Sequence, residues 1–284
     1  MTSGSILVIG SGHAAIRAVM AARQNGFSDR LKMVTKDQTV TPYERPPLSK
    51  WDADGGVVLT PIIPTDQFAT LDIDVIQSQA VALDRSAKTV HLSDGSVHGY
   101  DKLLLTTGAK ARRLPANLAG QTTLYYLRDA ADTDALQKAS GAAKSAVIIG
   151  GGFIGLELAA SLSQRGLKVH VVEQGARLLS RAVTRSVASV IQILHENHGV
   201  SFTFGASVEN LSSDGLILSG GTVVQADIIV VGIGSVPATG LAQDAGLTVQ
   251  DGIVVTAQML TSDDHIYAAG DCATFPLYGD GAFT

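Results

Sequence analysis

One cysteine, Cys272, stands in 284 residues, and that scarcity closes off several kinds of chemistry. No internal disulfide can form, no cysteine cage can hold a metal, and a dithiol relay is excluded by counting, which fits a reducing cytoplasm. Aromatic residues make up only 5% of the chain and charged residues 17%, with a net charge of −5. No Lys/Arg cluster forms a stripe able to neutralise phosphates, so nucleic acid is not expected as a partner. Long hydrophobic runs are missing too: the longest, near 146–149 and 228–233, are strand-length and interrupted by Gly or Asp. The N-terminus has no basic stretch before its apolar run, so no membrane role is expected. The histidines are scattered without ligand spacing and imply no metal; His195 and His198 read as a helix end beside Gly199.

What the chain has in quantity is glycine, 30 residues, within an ordinary globular composition that is 45% apolar and long enough for two domains. The run SILVI at 5–9 ends in GSGHAA at 10–15, followed by a helix-like pattern closed by Gly26. A second strand, LKMVT at 31–35, leads to Lys36 and Asp37. This is a dinucleotide fingerprint in its expected setting. Gly10 makes the tight turn, Gly12 lets a pyrophosphate approach, and Ala15 stands where a small residue packs helix on strand. The helix N-terminus then faces the phosphates. Asp37 is positioned to accept hydrogen bonds from a ribose 2′-OH, with Lys36 beside it as a competing charge.

The pattern recurs at 146–173, where AVII leads into GGGFIG, then LELAASLSQRG, then LKVHVVE. Gly150, Gly152 and Gly155 are all present, and Glu173 ends the second strand. A carboxylate there binds a free ribose diol and repels a 2′-phosphate, which favours NAD(H) over NADP(H). Arg177 and Arg181 stand against that, since either could reach a phosphate. Two copies about 140 residues apart, each with strand before, helix behind and acid after, imply two nucleotide sites.

Each unit continues into hairpin-rich sequence, with Asp94-Gly95 as a turn signal, and closes on an apolar strand ending in glycine, LLLTTG to Gly108 and ADIIVVGIG at 226–234. The strand IYAAGD, ending at Asp271, needs a sheet to join. The economical solution returns it to the first domain, making the second an insertion. The expected division is 1–111 with 237–284 for the first domain and 112–236 for the second.

The stretch PYERPPLSK, 42–50, sets two prolines before a serine and a lysine. Pro46 and Pro47 fix φ and disfavour the helical region for Arg45, so a stiff, extended loop projecting Arg45 and Lys50 is expected. Trp51 reads as an anchor for that loop.

The runs GSGHAAIRA, PYERPPLSK, LLLTTGAKARRLP, YYLRDAADTDAL, GGGFIGLELA, VVEQGARLL, VGIGSVP and IYAAGDCA together resemble the FAD-dependent pyridine nucleotide reductases. Within that superfamily they are most similar to the ferredoxin, putidaredoxin and rubredoxin reductases that feed oxygenases. The resemblance implies an α/β fold of two Rossmann-like dinucleotide-binding domains on the glutathione reductase-like FAD/NAD(P) plan, the NAD domain inserted in the FAD domain. It implies FAD in the first site, contacted by Ala14, Asp37, Arg45, Lys50, Arg128 and Asp271, with the backbone of Ala80 near the adenine. It implies NAD in the second, contacted by Gly152, Ile154, Glu157, Glu173 and the backbone near Gly234. NADH would be the hydride donor and an iron–sulfur ferredoxin or rubredoxin the electron acceptor. Lys50 and Glu157 would be the catalytic pair, a carboxylate keeping a lysine charged against the flavin and tying the two domains together.

Three departures from the family pattern stand out. The loop after Asp37 is about one residue longer, TTG replaces the usual ATG at 106–108, and Thr256 and Ala257 replace a VD pair. Family members also continue past GDCA into a flavin-covering segment and a C-terminal domain, whereas this sequence stops at Thr284. A fragment of low turnover, or a redox-sensing protein comparable to apoptosis-inducing factor, is therefore the alternative function. Within enzymes the runner-up is another member of the wider group, such as the reductase portion of a nitrite reductase or an NADH oxidase; no iron–sulfur or siroheme ligand set is supplied, which weighs against the first, and no peroxidase-type cysteine lies near the PPLSK loop. Nothing in the sequence speaks to oligomeric state.

Overall fold

A computed structural model describes residues 4–276 apart from 38, 40, 53–55, 120–122 and 213–214. The expected end of the first domain at 277–284, and residues 38 and 40 of the longer loop after Asp37, lie outside these. The chain divides into two compact units: Met1–Glu44, Thr60–Lys110 and Val236–Thr284 form the first, Arg45–Leu59 and Ala111–Ser235 the second.

The first unit is built on a five-stranded parallel sheet in the order Ile266–Ala268, Lys102–Leu105, Ile6–Ile9, Leu31–Thr35, Asp74–Gln77. Its central strand is apolar throughout because both faces are covered. Leu7 and Ile9 pack on one side with Val34, Leu103, Leu105, Ile266, Val90, Leu92 and Tyr100. Val8 packs on the other with Ile16 and Val19 of the helix His13–Gln24, and with Leu31 and Met33. An antiparallel meander, Ala80–Asp84, Thr89–Leu92 and Val97–Gly99, follows, with the Asp94-Gly95 hairpin where expected. The strand Ile266–Ala268 does return to this sheet, pairing in parallel with Lys102–Leu105.

The second unit repeats the plan, in the order Ser201–Phe204, Lys168–Glu173, Ser145–Ile149, Ile228–Val231, Leu124–Tyr125, again all parallel. Val147 and Ile149 pack with Val172, Ile229 and Val231 on one face. The helix Phe153–Gln164 follows the glycine turn, and the meander is Val208–Ser212, Gly215–Leu218 and Val223–Gln225. The helix Arg185–Asn197 ends with His198 as its cap residue beside Gly199, in agreement with the sequence reading.

Two expectations need correction. Residues 45–59 were assigned to the first domain but pack in the second unit. The reason is visible in their partners: Arg45 Nη1 donates to Arg128 O at 2.7 Å, Ser49 and Lys50 engage Glu157, and Trp51 engages Ser161. The neck of this excursion is closed in the first unit by Glu44 N to Thr60 O and Ile62 N to Pro42 O. The loop is also not extended, because Pro46–Ser49 form a 3-10 helix and Arg45 sits at φ −83, ψ −31. Proline is tolerated at the first helical positions, where its missing N–H would have no partner anyway. The bonds Leu48 N to Arg45 O and Lys50 N to Pro47 O offset the unfavourable pre-proline conformation.

Candidate functional site: two glycine turns and the lysine loop

Both glycine turns are shaped by backbone crowding. Gly10 has φ +116, and a Cβ there would stand 2.2 Å from Thr106 O; Gly150 has φ +111, and a Cβ would stand 2.4 Å from Gly232 O. Only glycine fits such a position. Gly12 and Gly152 are different. They precede the helices with ordinary φ values of −79 and −85, and no heavy atom lies within 4 Å of where a Cβ would be. Each thus leaves an open approach to a helix N-terminus, where free N–H groups and the dipole attract a phosphate. The third small residue is also explained in the second turn, where a Cβ on Gly155 would stand 2.2 Å from Gly150 O. Ala15 is fully buried at the matching place in the first.

The acids after each second strand are held differently. Ser11 Oγ shares a hydrogen bond with Thr35 Oγ1 at 2.8 Å and donates to Asp37 Oδ2 at 3.4 Å, and Asp37 N donates to Thr35 Oγ1 at 3.1 Å. Glu173 instead accepts two backbone N–H groups, Gly151 at 2.7 Å on Oε2 and Gly175 at 2.6 Å on Oε1. A carboxylate offers about four acceptor sites, so this bracing leaves some for a ribose diol. Arg177 is committed to its own turn, donating from Nη1 to Leu178 O at 3.2 Å and from Nη2 to Ser180 O at 2.9 Å. Arg181 is exposed.

The lysine loop lies within the second unit. Lys50 Nζ stands 3.1 Å from Glu157 Oε1 and donates to Pro46 O at 3.1 Å, while Ser49 Oγ donates to Glu157 Oε2. The expected Lys50–Glu157 pair is therefore present. It is internal to the second unit, whereas a tie between domains was expected. The lysine is not buried, its side chain being 56% exposed. An exposed pair on a long flexible stem is worth only about 0–1 kcal/mol. What fixes the loop is buried. Ser161 Oγ accepts from Trp51 N at 3.2 Å and donates to Ser49 O at 2.9 Å, and Trp51 Nε1 donates to Leu48 O at 2.8 Å. Trp51, 5% exposed, anchors the loop as its sequence position indicated.

The remaining expected residues are divided between the two units. In the first, Ala80 opens a meander strand and Asp271 is exposed just past the turn at Gly270. A Cβ on Gly270 would stand 3.0 Å from Ala14 Cβ, so that turn lies against the start of the first helix. In the second, Phe153 and Ile154 stand exposed on the first turn of their helix, and Gly234 O accepts Arg112 N at 2.9 Å. Arg45 and Arg128 also belong to this unit. Asp132 accepts the Arg128 and Asp129 amides, and burial together with the nearby Asp129 charge lifts its pKa above the ordinary carboxylate value. Sequence reasoning missed Ser11, Thr35, Gly151, Gly175, Ser49 and Ser161, whose partners are mostly backbone atoms or lie far along the chain. Among the described residues no group of three or more His, Cys, Asp or Glu is placed to hold a metal, and no helix is long and apolar enough to cross a membrane.

Paired parallel-sheet units, each opening on a glycine turn with an open helix N-terminus, define a dinucleotide-binding oxidoreductase fold. The chain belongs to the pyridine nucleotide-disulphide oxidoreductase family, whose pattern matches residues 4–282. It is 36% identical over 277 residues to the rubredoxin-NAD(+) reductase of Pseudomonas putida, covering 95% of this chain and 72% of that protein. It is 38% identical over 283 residues to the rhodocoxin reductase of Rhodococcus erythropolis, covering 97% and 66% respectively. The crystal structure of the ferredoxin reductase for the CYP199A2 system from Rhodopseudomonas palustris is similar with a TM-score of 0.91 at 34% identity, covering 98% of this chain and 70% of that one. The chain thus spans about two thirds to seven tenths of the length of these relatives.

Proposed function

We propose that this chain is an NADH-dependent FAD flavoprotein reductase that hands electrons to a small ferredoxin or rubredoxin-type protein of an oxygenase system. The observation that carries the reading is the duplication of the open glycine turn, one in each unit, since one chain with two dinucleotide sites suits transfer between two dinucleotides. The names of the similar reductases support the same direction. The open positions at Gly12 and Gly152 fit a pyrophosphate at each turn. Gly10, Gly12, Ala14, Ala15, Asp37, Ala80 and Asp271 form the FAD set of the first unit, with Arg45, Lys50 and Arg128 carried over from the family pattern. Gly150, Gly152, Ile154, Gly155, Glu157, Glu173 and Gly234 form the NADH set.

FAD, when bound, supplies acceptance of a hydride and release of single electrons. The chain's own residues supply placement and field. Lys50, paired with Glu157, is the cation we assign to the charge that reduction places on the flavin. Glu173 repels a 2′-phosphate and keeps acceptor sites for a free ribose diol, which favours NADH over NADPH; Arg177, bonded to Leu178 O and Ser180 O, and the exposed Arg181 are the opposing charges. A reducing cytoplasm fits Cys272 as the one cysteine.

The test is the visible spectrum of the purified chain reconstituted with FAD, followed anaerobically as NADH is added and then a ferredoxin or rubredoxin. Yellow protein that bleaches with NADH and recovers its colour as the carrier is reduced is the expected result. A chain that takes up no FAD, or prefers NADPH, refutes the reading. Lys50→Met should slow flavin reduction at least about tenfold with NADH affinity little changed.

A further inference from the structure

Glu157 and Ser161 lie four apart on one face of the helix Phe153–Gln164, and Arg165, four further on, is its C-terminal cap residue. Each meets the lysine loop in turn. Glu157 accepts from Ser49 Oγ and pairs with Lys50 Nζ, Ser161 Oγ accepts from the Trp51 amide and donates a hydrogen bond to Ser49 O, and the Arg165 guanidinium lies 5.5 Å from the centre of the Trp51 ring. Arg165 is itself fixed by a bond from Nη1 to Ser140 Oγ at 3.0 Å.

Ser161 is buried, as are its helix neighbours Leu158, Ala159 and Leu162, and an alanine there would leave no polar group to satisfy. Its hydroxyl satisfies itself on the loop, although a helical serine commonly bonds the carbonyl one turn back. The two loop atoms it holds, Ser49 O and Trp51 N, lie on either side of Lys50. That bracket fixes the lysine's backbone, while its exposed side chain and weak ion pair do not hold the loop.

We propose that Ser161 is a positioning residue for the reaction: by clamping the backbone before and after Lys50 it presents the ammonium group at a fixed place. The proposal rests on the role given to Lys50 under Proposed function. Trp51 is the one tryptophan in the chain and is buried in the clamp, so it reports the clamp directly with no cofactor bound.

The experiment compares the full chain with Ser161→Ala, Ser161→Cys, Ser161→Thr and Lys50→Met. Tryptophan emission and acrylamide quenching are read on flavin-free protein, and anaerobic stopped-flow reduction by NADH on the FAD-loaded form. Ser161→Ala should shift emission to the red and raise the quenching constant at least about twofold, as expected for a buried indole gaining solvent contact. It should lower the limiting reduction rate at least about fivefold while the NADH dissociation constant moves less than about twofold. Ser161→Thr, which keeps the hydroxyl, should restore both; Ser161→Cys, of similar size with a weak donor, should behave like alanine and decides the matter if the alanine variant does not fold. Adding Ser161→Ala to Lys50→Met should slow reduction no further, because the two act through one group. Unchanged Trp51 quenching in the alanine and cysteine variants overturns the clamp. Altered quenching with unchanged reduction, in a background where Lys50→Met is slow, overturns the positioning role. A Lys50→Met variant that reduces at the parent rate refutes the lysine's assignment and this proposal with it, while the fluorescence still decides whether the clamp exists.

Discussion

The glycines of the second turn offer a crossed test, because two positions two residues apart should fail in opposite ways. At Gly150 a methyl group would meet the Gly232 carbonyl at 2.4 Å and its carbon at 2.9 Å, both backbone atoms of a neighbouring strand end that cannot swing aside. Its φ of +111 adds backbone strain of about 1–3 kcal/mol for any L side chain. Overpacking contributes about 1–3 kcal/mol more, so Gly150→Ala should lose about 2–6 kcal/mol, a large share of a domain's usual stability of about 5–15. At Gly152 the same methyl meets nothing within 4 Å, and φ of −85 is ordinary. There the gain from a stiffer unfolded chain and the loss of a good N-cap residue are each below about 1 kcal/mol and oppose one another. Gly152→Ala should therefore melt within a few degrees of the parent, yet bind NADH at least about tenfold more weakly, because the methyl occupies the approach to the helix N-terminus. Thermal unfolding by circular dichroism and NADH titration by calorimetry read the two effects separately. A Gly152→Ala protein of parental stability and parental NADH affinity would refute the assignment of that turn to a pyrophosphate. A Gly150→Ala protein of parental stability would refute the steric account of the turn itself.

Tyr100 is buried with its hydroxyl bonded to no described residue, and burial, with Asp263 nearby, pushes its pKa from 10 up to about 12. Tyr100→Phe should raise stability by about 1 kcal/mol. The raised pKa makes the parent lose stability as pH climbs from 10 towards 12, since the unfolded phenol releases its proton first, and the variant should lack that slope in alkaline unfolding. Arg85 Nε bonds Asp263 at 2.8 Å and Nη1 reaches Gly246 O at 3.2 Å, so Arg85→Ala should destabilise the first unit by about 1–3 kcal/mol. Burial raises the Asp263 pKa, but the Arg85 bond and the His265 amide outweigh it and hold it low, so its contribution is present above the ordinary carboxylate value and lost on acidification. Removing Arg85 should move acid unfolding to higher pH. Glu173→Gln should weaken NADH binding and narrow the NADH/NADPH affinity ratio, measured by titration with each dinucleotide; an unchanged ratio would remove Glu173 from the specificity account.

The parallel strands were legible because burial on both faces writes them as short unbroken apolar runs, as in ILVI at 6–9 and AVII at 146–149, each ending at a glycine. The lysine loop was misread for a local reason and a long-range one. Pre-proline sterics disfavour the helical region at Arg45 without forbidding it, and the deciding contacts come from Glu157 and Ser161, more than a hundred residues away. The bracing of Glu173 was invisible because its donors are backbone amides of Gly151 and Gly175, which leave no mark in side-chain pattern. Glu157 was found only through family resemblance; nothing in its spacing alone points to Lys50.

The strand order of the first unit constrains how the chain is made. Ile266–Ala268 hydrogen-bonds beside Lys102–Leu105, so that sheet stays one strand short on the ribosome until the whole of the intervening unit has emerged. The second unit, whose five strands are complete once Val231 has left the exit tunnel, is free to mature first, and residues 45–59 must wait unattached for it to appear. Vectorial synthesis thus reverses the order in which the two units are encoded.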